Sequence, residues 1–272
     1  MTENLNNYEF LPKNDYLLLK TFNLGFKNKQ ILIIIINREK SLNAVNIDIL
    51  KSLINILKHV ENDSNILSII LTGAGNKAFI AGADIKSMNT YHPEDAYKYS
   101  VLGQDLVKLI NSFDKPVIAA INGYALGGGC EIATACHLRY ASENSIFGQP
   151  EVKLGIIAGW GGTVNLKRVI GLGNATKLLI SGDTINSDEA LKVGLVNMVF
   201  PLENFLQSVI KEVKSFCKNS PNAIKNTLLS INSFNNDDPY KKESNLFRDS
   251  FKHEDSSIGL SAFLRKEKPE FK

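Results

Sequence analysis

Apolar residues along this chain fall into two spacings, and the switches between them mark its elements. "YLLLKTF" (16–22) and "ILIIIIN" (31–37) are unbroken or alternating apolar runs of strand length, joined by the turn-rich "NLGFKNKQ". "NIDILKSLINILKHVEND" (46–63) then places Ile47, Leu50, Leu53, Ile54 and Leu57 at helical spacing. "ILSIILTG" (66–73) predicts a buried strand, and "PEDAYKYSVLGQDLVKLINSF" (93–113) a helix opened by Pro93 and two acids, as its dipole prefers. "PVIAAING" (116–123) returns as a strand. This cadence predicts an α/β core with crossover connections, and the recurrence of strand, strand, helix suggests stacked turns of a spiral.

Beyond about residue 165 the strands thin out. "NATKLLIS", "SDEALKVG" and the stretch from Leu202 to Ser233 read as helices, and "SIGLSAFLRKEK" (257–268) as a last amphipathic one. The expected organisation is a flexible lead-in over 1–15, a core over 16–200 and a helical region over 201–272.

Composition adds exclusions. The 272 residues are 44% apolar and 22% charged, with a formal charge of +3, and the basic residues are scattered rather than striped. Scattered charge argues against a nucleic-acid surface but suits a small anionic ligand. Cys130, Cys136 and Cys217 form no C-x-x-C pair and are odd in number, which fits a reducing compartment. The four histidines lie far apart, without metal-ligand spacing, so no metal is expected. The polar opening shows no export signal and "ILIIIIN" is too short to span a bilayer, so the expected location is the cytoplasm, away from membranes.

"GAGNKA" (73–78) matches a dinucleotide-binding fingerprint, but that motif has force only when a helix begins inside it. "FIAGADIKSM" follows instead, so the motif reads as a tight turn. The more informative stretches are "GYALGGGCEIATACHL" (123–138) and "AFIAGADIKSM" (78–88). Glycine bares backbone N–H groups, and a helix starting at Gly128 or Gly129 aims its unpaired amides and positive dipole end at one spot. Ala81, Gly82 and Ala83 bare a second stretch, before a short helix that Asp84 is placed to cap. Either stretch alone is an ordinary packing or turn motif, and two together suit an oxygen that becomes negative during reaction. Glu131 and Glu151 are the accompanying carboxylates; read singly, they are a dipole-complementing acid and a surface acid. In an apolar pocket their pKa values would rise toward working pH, as acid–base chemistry requires.

"AFIAGADIKSM", "KPVIAAINGYALGGGCEIATACHLRYAS" and "FGQPEVKLGI" together resemble the crotonase, or enoyl-CoA hydratase/isomerase, family. "NREKSLNAVN" (37–46) resembles its early CoA-contacting stretch and "SAFLRKEKPEFK" its closing helix, so the similarity runs from about Tyr16 to the end. The resemblance implies a crotonase-like spiral of ββα units with a C-terminal helical trimerisation region, assembled as a trimer or dimer of trimers. It implies an acyl-CoA thioester substrate and no cofactor beyond the coenzyme A of that substrate. It assigns the oxyanion hole to the amides of Ala83 and Gly128, and the ligand path to Ala81, Ala83, Asp84, Ile85 and Lys86, with Lys40, Ser41 and Leu42 nearby. Phe263 and Lys266 would reach the nucleotide end of CoA, and Gly159 would hold a water.

Family members carrying both glutamates resemble hydratases, so the implied reaction is addition of water to a 2-enoyl-CoA by Glu131 and Glu151. Isomerisation on the same scaffold is the nearest rival. An RNA-binding member is the remote one, since "LSINSFNNDDPYKKESN" carries a single lysine pair. Thioester hydrolysis lacks a G-x-S-x-G elbow. Three positions depart from the pattern: Ala158 stands where many relatives have proline, Glu39 likewise, and Trp160, the only tryptophan, follows Gly159. Trp160 reads equally well as core packing or as a ring that reshapes the acyl pocket.

Overall fold

The computed structural model describes residues 5–8, 15–233 and 238–271. Strands β1 (Leu5–Asn7), β2 (Leu17–Asn23) and β3 (Gln30–Ile36) form an antiparallel edge, followed by helix α1 (Ile47–Glu61). The strand β1 pairs Leu5 with Phe22 inside what the sequence suggested was a flexible lead-in; residues 1–4 and 9–14 of that lead-in lie outside the described residues. Then come β4 (Ile66–Gly73), β5 (Ala78–Ile80), the short α2 (Ile85–Met88) and α3 (Pro93–Asn111). The next turn is β6 (Val117–Ile121), β7 (Tyr124–Leu126) and α4 (Gly128–Ala135). The last full turn is β8 (Leu138–Ser142), β9 (Ile146–Gly148) and α5 (Gly162–Ser181).

Each of these three turns gives its first strand to a long sheet and its second to a short one. The long sheet runs β1-β2-β3-β4-β6-β8 and is closed by β11 (Met198–Phe200); the short one runs β5-β7-β9 and is closed by β10 (Thr184–Asn186), with α6 (Ser187–Lys192) between the two closing strands. That is the expected spiral. Among the described residues, the C-terminal region holds the helices α7 (Phe205–Phe216), α8 (Pro221–Ile231), α9 (Pro239–Ser250) and α10 (Glu254–Arg265).

The all-apolar β3 is explained by burial on both faces. Leu32, Ile34 and Ile36 pack into the main core with Leu50, Leu53 and Leu57 of α1, while Ile31 and Ile33 face Val209, Ile210 and Val213 of α7. Helix α1 begins where Asn46 accepts the Ile49 amide at 3.0 Å, and it buries Ile49, Leu50, Leu53, Ile56, Leu57 and Val60. Burying six such side chains is worth on the order of 10 kcal/mol relative to leaving them in water. Ile47, which shares the helical spacing, is exposed in the first turn.

The "GAGNKA" stretch is a turn between β4 and β5, with Gly75 at a φ of 73° and no helix inside it. Two buried asparagines hold it: Asn122 donates to the carbonyls of Gly73 and Gly75, both at 2.8 Å, and Asn43 donates to Ala78 O at 2.7 Å. This pinning fixes the turn that leads into β5 and so the segment that follows it. Helix α5 breaks at Gly171, and its second half is the helix foreseen as "NATKLLIS".

Candidate active site

A cavity of about 890 Å³ opens where the segments after β5, β7 and β9 meet the N-terminal turns of α4 and α5. Its first wall is the strip Ala81–Ala83. Ala81 N donates to Leu42 O, Val45 N to Gly82 O and Asp84 N to Val45 O, each at 3.0 Å. In such a parallel pairing alternate residues turn their N–H groups to opposite sides, so the Ala83 amide points away from Val45. Gly82, at a φ of 112°, lets the strip turn there. Arg38 braces it, with Nη1 donating to Ala44 O at 2.7 Å and Nη2 pairing with Asp84 Oδ2 at 3.2 Å. Asp84 does sit at the N-cap of α2, but its side chain makes no cap bond. The nearby guanidinium holds the carboxylate instead, which corrects the expectation that Asp84 caps the helix.

The second wall is the start of α4. Gly127 has a φ of 50°, and a Cβ there would lie 2.6 Å from Glu151 Oε1. Gly128, the first helical residue, has an amide with no partner inside the helix. Gly129 packs directly on the Ile80 carbonyl, which a Cβ would strike. The three adjacent glycines therefore have three reasons: a carboxylate, a bare amide and a helix–strand contact.

Glu131 lies in the first turn of α4 and is 2% exposed. Its Oε1 accepts the amides of Trp160 and Gly162, both at 2.7 Å, so it also sits at the positive end of α5. Burial pushes its carboxyl up to about 7, the charge of Glu151 adds to this, and the Gly162 and Trp160 amides oppose it. Glu151 stands in the short turn Pro150–Leu154, and burial raises its carboxyl too, against the pull of its own backbone amide. The buried Gln149 amide, with its nitrogen toward Glu151, donates at 3.1 and 3.2 Å to the two carboxylate oxygens.

Ala81, Ala83, Ile85, Gly128, Glu131, Glu151 and Gly159 all line this one cavity. Leu42 touches the strip through its carbonyl, on the chain just after the turn that holds Lys40 and Ser41; these three, Asp84 and Lys86 do not line the cavity. Phe263 and Lys266 sit at the end of α10, Phe263 79% exposed, and neither reaches the cavity. The Gly159 carbonyl accepts Ser100 Oγ at 2.6 Å and Gln104 Nε2 at 3.1 Å, which fixes the loop before α5. Sequence reading missed Gln149, Ser100 and Gln104. Gln149, inside the quoted "FGQPE", offered a signal; Ser100 and Gln104, one helical turn apart on α3, offered only their spacing.

Among the described residues, no three His, Cys, Asp or Glu side chains gather to hold a metal ion, and no helix is long and apolar enough to cross a membrane. The three cysteines are free and buried.

The family model "Enoyl-CoA hydratase/isomerase" matches residues 26–272. The chain is 42% identical over 247 residues to the short-chain-enoyl-CoA hydratase of Clostridium acetobutylicum, covering 90% of this chain and 95% of that one. It is 40% identical over 248 residues to the crotonyl-CoA hydratase of Syntrophomonas wolfei, with the same coverage of 90% and 95%. The crystal structure of an enoyl-CoA hydratase from Bacillus anthracis superposes with a TM-score of 0.88 at 32% identity, over 95% of this chain and 99% of that one.

Proposed function

Since the chain belongs to the enoyl-CoA hydratase/isomerase family, we propose that it adds water reversibly to a trans-2-enoyl-CoA, giving the 3-hydroxyacyl-CoA. The observation that carries this reading is the pair Glu131 and Glu151, both with raised carboxyls, lining the same cavity as the Ala83 and Gly128 backbone. The thioester oxygen lies between the Ala83 and Gly128 amides, which draw electron density from C3 and hold the enolate that forms. Glu131, positioned by two backbone amides, takes a proton from a water in its ionised form as the water oxygen bonds to C3. Glu151 delivers a proton to C2 on the same face, so addition is syn. The pair as a whole ends with the one proton it began with. Gly159 supports the loop beside that water. The reaction drawn this way uses no metal or redox cofactor, and coenzyme A belongs to the substrate.

Lys40, Ser41, Leu42, Asp84 and Lys86 are assigned to the outer coenzyme path, beside the strip that carries Ala83. Residues 16–200 form the catalytic core and 201–272 the assembly region of a homotrimer or a dimer of trimers. Exposed Phe247 on α9, Phe251 just after it, and Phe263 and Leu264 on α10 support that assignment, because apolar surface of this kind marks contact surfaces. Within such an assembly Phe263 and Lys266 are assigned to the nucleotide end of CoA. The free thiols support a place in the cytoplasm.

The test is loss of the conjugated enoyl-thioester absorbance on mixing with trans-2-butenoyl-CoA, with the product identified by mass. A product heavier by one water supports hydration. An unchanged mass with a shifted double bond identifies isomerisation instead, and free coenzyme A identifies hydrolysis.

A further inference from the structure

Trp160 is both a core residue and a wall of the reaction cavity. It is 3% exposed and its ring is held from three sides. A Cβ on Gly128 would collide with the six-membered ring of the indole, and a Cβ on Gly103 with its five-membered ring. Tyr99 meets the indole edge-on, with centroids 5.3 Å apart at 76°, and is itself tied by its hydroxyl to Val45 O at 3.1 Å. Gly103 lies in the interior of α3, where glycine weakens a helix. The indole explains why glycine stands there: the ring spans the gap between α3 and the first residue of α4, and only two bare α-carbons leave room for it.

We infer that Trp160 is the end wall of the acyl site and restricts the enzyme to short straight-chain 2-enoyl-CoA thioesters, four carbons rather than eight. The inference rests on the hydratase reading for the position of the acyl group. With the thioester oxygen on the Gly128 amide, the acyl carbons start beside a ring already in contact with Gly128. Farther along α3, Gln104, Lys108 and Asn111 bring polar atoms to the lining beside Val107. In an open apolar slot each added methylene would improve binding up to about fourfold. Here the tail must displace a ring locked by Tyr99, Gly103 and Gly128, and close-packed walls of that kind do not yield cheaply.

The experiment compares kcat/KM for trans-2-butenoyl-CoA and trans-2-octenoyl-CoA in the wild type, Trp160→Ala and Trp160→Phe. The wild type is expected to favour the four-carbon substrate by at least about tenfold. Trp160→Ala is expected to raise the octenoyl-to-butenoyl ratio by at least about tenfold, with Trp160→Phe between. Equal wild-type rates on both chains, or a folded Trp160→Ala with an unmoved ratio, overturns the inference while leaving hydration intact. If Trp160→Ala does not fold, the ratio in Trp160→Phe decides, and no shift there overturns it. If the wild type hydrates neither thioester, the hydratase reading fails. Binding of butyryl-CoA and octanoyl-CoA by calorimetry then judges the wall separately, with equal affinities refuting it.

Discussion

Replacing Glu131 by Gln should cost the enzyme its activity and make it more stable at neutral and alkaline pH. Ordinarily a side chain with two hydrogen bonds at 2.7 Å would be expected to stabilise its fold. Burial reverses the sign here, raising the carboxyl from 4.5 to about 7 despite those bonds. Below pH 4.5 the folded and unfolded chains both carry the proton, and ionisation contributes nothing. Between 4.5 and about 7 the unfolded chain ionises first, so stability falls as pH rises, and above that the full cost is present. A displacement of that size is worth about 3 kcal/mol. The glutamine carbonyl can accept the same two amides without charge, so Glu131→Gln escapes the penalty. The variant should melt on the order of 5–10 °C above the wild type at pH 8 and at nearly the same temperature near pH 4.5. Its kcat should drop roughly 10²–10⁴-fold, the usual contribution of a positioned base. Thermal unfolding across pH, with butenoyl-CoA turnover on the same samples, reads both effects. An active variant would mean that Glu131 is not the base, and one that melts below the wild type at pH 8 would mean that the two amide bonds outweigh burial.

Three further outcomes are expected. Gly128→Ala drives a Cβ into the indole of Trp160, so it should lose about 1–3 kcal/mol and most of its turnover, and in a Trp160→Ala background the same substitution should cost little, read by melting temperature. Gln149→Leu removes the amide that donates to Glu151, which disfavours its ionised form; the basic limb of the kcat/KM profile should move to higher pH, and a limb that stays still would mean the amide does not touch the reacting carboxyl. Arg38→Met frees the strip that carries Ala83 and leaves Asp84 unpaired, so it should cost about 1–3 kcal/mol and raise KM more than it lowers kcat, read by denaturant unfolding and steady-state kinetics.

What was legible in the sequence follows from which forces are local. The spacing of Leu50, Leu53 and Leu57 and the unbroken apolar run of β3 announce their elements because burial imposes a period on them. Asp84 was misjudged because Arg38, 46 positions earlier, claims its carboxylate, and no local pattern carries that contact. The same limit hid Ser100 and Gln104, whose shared partner, the Gly159 carbonyl, lies 59 and 55 residues away. Trp160 could be read as core or pocket wall because it is both, as its contacts with Gly103 and Gly128 make plain. The strand at Leu5–Asn7 was invisible for a simpler reason: a polar three-residue edge strand has too few positions to show alternation.

The mechanism depends on the backbone amides of Ala83 and Gly128 sharing one thioester oxygen while Glu131 and Glu151 face the carbons next to it. A crystal structure with acetoacetyl-CoA bound tests it most directly. The thioester oxygen is expected about 3 Å from both nitrogens, with both carboxylates turned toward C2 and C3. A thioester oxygen bound to side chains or solvent, or either glutamate directed away from the acyl carbons, contradicts it.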